Sequence, residues 1–167
     1  MQIGRYATGT GMALTVLLSS VAVALGAPPF TTAQKSSPAA GGGQAELYSL
    51  TVACHSSFDR VVIRGRLATP DYSVAYASQI VQPSGLPLSL EGTARLRVDV
   101  RPARGHSAGG TSLLPAVLTP HCPSLRQVKR AEDFEGVVVL GLGIRGTKPF
   151  RAFRLTRPTR IVVDISH

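Results

Sequence analysis

Between Ala94 and Arg101 the chain reads ARLRVDVR, with apolar and charged residues alternating. Leu96, Val98 and Val100 take one face, and Arg95, Arg97, Asp99 and Arg101 take the other. That period of two is the mark of a half-buried strand and does not fit a helix. FDRVVIRGRL repeats it, with Val61, Ile63 and Leu67 against Arg60, Arg64 and Arg66 and an interruption at Val62. YSVAYA, LPLSLEG, VVVLGLGI, PFRAFRL and RIVVDIS read as further strands. They are separated by TPD, QPSG, EG, RGTKP and TRP, all turn chemistry. Seven or eight short strands with no long helical pattern predict an all-β fold, a compact antiparallel β-sandwich of two small sheets. SLRQVKRAEDF admits two readings. Leu125, Val128, Ala131 and Phe134 fit a helix capped by Ser124, while Leu125–Lys129 equally fits a strand leading to a turn at AEDFEG. The stretch from Pro102 to Pro123 contains GHSAGG and four prolines, and predicts a long excursion over the surface.

The folded part does not begin at the first residue. Arg5 precedes the apolar run GMALTVLLSSVAVALGA, which predicts a signal peptide over residues 1–27, cut after Gly26 or Ala27. The run is slightly short for a membrane anchor, so no stable span is expected after cleavage. PPFTTAQKSSPAAGGGQ, poor in large apolar residues, predicts a flexible linker over 28–45. The domain is then 46–167. The chain has 18 Lys and Arg against 9 Asp and Glu, a net charge of +9. An exported protein with this balance meets wall polymers and anionic headgroups rather than nucleic acid. In an oxidising compartment Cys54 and Cys122 predict one disulfide, closing a loop of about 69 residues and contributing ~4 kcal/mol. The mirrored pairs Cys54-His55 and His121-Cys122 raise zinc as an alternative. Adjacent residues on a strand point to opposite faces, however, and zinc-finger pairs leave two to four residues between ligands. No metal and no cofactor are expected.

Candidate chemistry is sparse. HSSFD (55–59) offers His, Ser and Asp, but neighbours on a strand diverge, and no nucleophile elbow, HExxH or P-loop occurs. The chain is therefore not expected to be an enzyme. Gly141 and Gly143 flatten one face of VVVLGLGI; they allow either a bulge or close backbone approach, or a smooth shelf for a ligand. Lys148, Arg151, Arg154, Arg157 and Arg160 recur at every third position, a period that neither strand nor helix aligns. Read as two strands and a turn, the segment sends Arg151 and Arg154 to opposite faces. Asp59 and Asp164 suit a structural role, pairing with arginine across adjacent strands. Arg60, Arg151 and Arg160 fit either such pairing or a ligand-facing cluster for carboxylate or phosphate.

FDRVV (Phe58 to Val62), FEG (Phe134 to Gly136), the glycines Gly141 and Gly143, PFR (Pro149 to Arg151) and the terminal RIVVDISH (Arg160 to His167) together resemble the AMIN-like domain of secreted actinobacterial proteins. That family is related to the AMIN module attached to bacterial cell-wall amidases. The resemblance spans about 110 residues and implies a two-sheet sandwich acting as a non-catalytic targeting domain. The partner it implies is peptidoglycan or an anionic envelope polymer. Two other partners fit the same chain: an envelope protein docked on a sheet face or edge, or an anionic membrane surface held loosely. Arg154 and Arg157 depart from the family pattern, which more often has small polar or acidic residues there.

Overall fold

In the computed structural model the described residues are 26–167. The expected signal peptide lies outside them apart from Gly26 and Ala27. The chain forms β1 (Lys35–Ser37), β2 (Ala45–Cys54), β3 (Phe58–Arg66), β4 (Asp71–Tyr76), β5 (Ala94–Arg101), β6 (Ala103–Arg104), β7 (Val117–Leu118), β8 (Leu125–Phe134), β9 (Val137–Ile144), β10 (Phe150–Leu155) and β11 (Thr159–Ser166). One sheet has the order β1-β4-β5-β9-β8-β7 and the other β10-β11-β3-β2-β6. Pairing is antiparallel throughout except between β2 and β6. The expected all-β sandwich is what forms. It has more strands than the seven or eight expected, because β1, β6 and β7 are pieces of two or three residues.

The alternation read from sequence sets the faces. Leu96, Val98 and Val100 of β5 pack with Leu140 and Leu142 of β9, and across the sandwich with Val61 and Ile63 of β3 and Ile161, Val163 and Ile165 of β11. SLRQVKRAEDF resolves as strand β8, paired along β9 with two register shifts. The β8–β9 hairpin turns through Glu135 and Gly136, with φ of 46° and 81°. Two left-handed residues in a two-residue loop are what the strand twist requires of a tight hairpin.

Two expectations need correction. LPLSLEG is not a strand. Its backbone folds back on residues 80–82, with the Leu88 amide donating to the Ile80 carbonyl at 2.7 Å. Ile80, Leu88 and Leu90 thereby form a small second core with Ala131 and Val139 on the outer face of the six-stranded sheet. The segment 28–45 is not a free linker either. Within it β1 pairs with β4, Thr31 and Phe150 exchange backbone hydrogen bonds of 3.0 and 2.9 Å, and Ala40 donates to Thr69. Main-chain bonding, invisible in composition, holds it. Among the described residues no helix is long and apolar enough to cross a membrane.

Candidate functional site: an arginine and aromatic face

The outer face of the five-stranded sheet collects the arginines singled out in the sequence. Because opposite residues in an antiparallel pair share a face, the register builds it in rows. The first row is Arg151, Asp164, Arg60 and Ala53, running from β10 to β2. The second is Phe153, Val162, Val62 and Thr51, and the third Leu155, Arg160, Arg64 and Ser49. Arg60, Arg151 and Arg160 thus lie on one face, joined by Arg64. At ~3.4 Å per residue the two arginine rows stand about 14 Å apart, with an apolar strip between them.

Asp164 organises the first row. Its carboxylate is fully buried and accepts Arg60 Nε at 2.7 Å, Arg60 Nη2 at 2.8 Å and Arg151 Nε at 2.8 Å. Charge-assisted bonds of this kind are about twice as strong as neutral ones. Bonding to Asp164 pushes the Arg60 guanidinium above its already high value, against the opposing effect of burial. Aromatic rings frame both cations. Arg151 sits 4.4 Å from the Phe30 ring centroid and 5.3 Å from that of Phe58, and Arg60 sits 5.0 Å from Phe58. Two guanidinium groups around one carboxylate leave a net positive charge, and Arg64 and Arg160 add two more.

Asp59 belongs elsewhere. Its register places it with Ile165 and Cys54, facing inward, where its Oδ2 accepts the Ser124 and Leu125 amides at 2.8 Å each. His167 Nε2 lies 3.2 Å from Oδ1, at ion-pair distance but outside hydrogen-bond geometry. Asp59 thus fastens the start of β8 to the other sheet and, among the described residues, pairs with no arginine. Beside it Cys54 and Cys122 form the expected disulfide, with Cα atoms 5.5 Å apart. The two sulfurs and Asp59 lie within 4.8 Å of one another. Bonded together, the sulfurs offer no thiolate to a metal.

Gly141 and Gly143 are not part of this face. They lie on the other sheet, beneath the 77–91 segment. A Cβ on Gly143 would stand 1.9 Å from the Glu91 carbonyl oxygen, and one on Gly141 would stand 2.6 Å from Leu88 Cδ2. The shelf reading is overturned, because the chain's own leucines occupy the flat surface. Arg154 and Arg151 diverge as alternation requires. Arg154 turns to the inner side of β10 and donates to the Pro38 and Pro70 carbonyls at 2.8 and 3.0 Å. Sequence reasoning missed Phe30, which sat in the supposed linker, and did not nominate Arg64, although its parity with Arg60 was legible.

The molecule is thus a two-sheet, mostly antiparallel sandwich with a cationic, aromatic-edged outer face. The family model of the AMIN-like domain matches residues 45–167, and the chain belongs to that family, whose relatives are modules of cell-wall amidases. A search of curated proteins returns no match.

Proposed function

We propose that this protein is an exported, non-catalytic binding module of the cell envelope that recognises peptidoglycan or an anionic wall polymer. The observation that carries the reading is the face described above: across its two rows four arginines, Arg64 exposed and Arg60, Arg151 and Arg160 half-buried, stand against the single, buried carboxylate of Asp164. Planar guanidinium forks suit the carboxylates and phosphates that wall polymers carry. The apolar run of residues 11–27 and the disulfide both fit export to an oxidising compartment. Sedimentation with purified sacculi tests the reading. The protein is expected in the pellet at low salt and to be released progressively as salt screens the arginines. Retention in the supernatant at low salt, where a control wall binder pellets, would remove it.

A second reading, docking onto an envelope protein, has its own observation. β6 covers only Ala45 and Glu46 of β2, so among the described residues the rest of that strand's second edge has no strand partner. Beside it runs a groove of about 380 Å³ lined by Leu50, Val52, Leu118 and Pro120. An extended peptide could pair there. Crosslinking in intact cells that recovers a stoichiometric protein partner through β2 would favour it over the wall.

A further inference from the structure

The two arginine rows differ in one respect: only the first has an anion of its own. In that row β11 contributes Asp164, flanked by Arg151 and Arg60. Four residues earlier on the same strand and face, β11 contributes Arg160, and its neighbour on β3 is Arg64. Directly opposed side chains on a sheet have Cβ atoms about 5 Å apart, and like charges so placed destabilise the pair. Among the described residues neither guanidinium has a carboxylate within ion-pairing distance. Residues 1–25 contain neither Asp nor Glu that could supply one. Arg160 Nε is enclosed and has no acceptor, whereas the Nε atoms of Arg60 and Arg151 both reach Asp164. Ser49, in register with Arg64, sets a hydroxyl at the end of the same row.

We propose that Arg64 and Arg160 form an oxyanion site, in which a phosphate or carboxylate group of the ligand takes the place that Asp164 fills in the neighbouring row. The site rests on the wall-binding reading for the source of its ligand, though not for its chemistry. Bound there, an oxyanion accepts from both guanidinium groups and relieves their repulsion. Phe153 and Val62, half-buried beside it, offer apolar contact to the body of the same ligand.

Inorganic phosphate is the probe. Thermal melts are run at constant ionic strength while chloride is exchanged for phosphate. The wild-type midpoint is expected to rise saturably. Arg64→Gln and Arg160→Gln are expected to weaken the apparent phosphate Kd by about tenfold or more. In chloride alone at low ionic strength both variants are expected to melt above the wild type, because the repulsion is gone; this also shows that they fold. Arg145→Gln, at an exposed turn of the other sheet, keeps the full response. No rise in the wild type, or an equal rise in all variants, overturns the site. Sacculus pelleting of the same proteins separates the two claims. A phosphate response without pelleting leaves the site standing and removes the wall as its ligand, and pelleting without a phosphate response does the reverse. Sacculi stripped of phosphate polymers by acid then assign the source: lost binding points to phosphate, retained binding to stem-peptide carboxylates.

Discussion

Glu46 shows how a single carboxylate is held in this arginine-rich chain. It is buried at the foot of β2, accepting Arg104 Nη2 at 2.9 Å and Arg66 Nε at 2.7 Å. The hydrogen bond from Arg104, then that from Arg66, holds its carboxyl below the ordinary value of 4.5, with burial opposing. The folded state thus binds this proton less readily than the unfolded chain. The associated stability is complete above pH 4.5 and is lost as pH falls through the lower folded value. Urea midpoints of the wild type and Glu46→Gln should therefore converge as pH drops below 4.5; parallel curves would show that the ion pairs contribute nothing. Parity along the strands made some such roles legible in advance. Arg60, Arg64 and Arg66 share one parity of β3, and Asp59 shares the other with Val61 and Ile63. That parity puts Asp59 on the core side, so the arginine pairing expected for it does not form. Its partners, the Ser124 and Leu125 amides, lie 65 and 66 residues away and only the fold brings them in.

At the scale of elements, β9 is buried on both faces, and its glycines are the reason. The six-stranded sheet turns Val139, Gly141 and Gly143 outward, and the 77–91 segment closes over them. The two glycines differ in what opposes them. A methyl on Gly143 meets the backbone carbonyl of Glu91, which cannot move alone, whereas one on Gly141 meets the tips of Leu88, Leu90 and Ile80. Gly143→Ala is therefore expected to cost about 3 kcal/mol and Gly141→Ala about 1 kcal/mol in urea unfolding. Equal costs would mean that the 77–91 segment is not seated as described. Sequence flagged the glycine pair but could not choose between a shelf and a close approach, since the covering leucines lie about 50 residues upstream. The same leucines misled in their own right. Leu86, Leu88 and Leu90 alternate like a strand, yet Leu88 and Leu90 pack down on the sheet while Leu86 is 64% exposed, and the backbone between them pairs only locally.

For the molecule as a whole, the disulfide and the N-terminal segment decide how the two sheets stay together. Cys54 ends β2 in one sheet, and Cys122 precedes β8 in the other, so the bond ties the sheets across 68 residues of chain. Replacing both cysteines by alanine is expected to lower unfolding stability by about 3 kcal/mol, measured against the oxidised protein. An unchanged midpoint would show that Asp59 and the core already fix that junction. The overall sandwich was legible because its strands alternate cleanly. The N-terminal segment was not, because Ser, Ala and Pro give no apolar signal and its attachment is through the main chain. That attachment has a consequence for self-association. β1 occupies the outer edge of β4, and Thr31 bonds to Phe150 on β10, the edge strand of the second sheet. The residues ahead of the family-matched region therefore act as edge guards, shielding hydrogen-bonding groups on both sheets that would otherwise recruit a neighbouring copy. Main-chain pairing with the sandwich begins at Thr31, fourteen residues before the family boundary at residue 45.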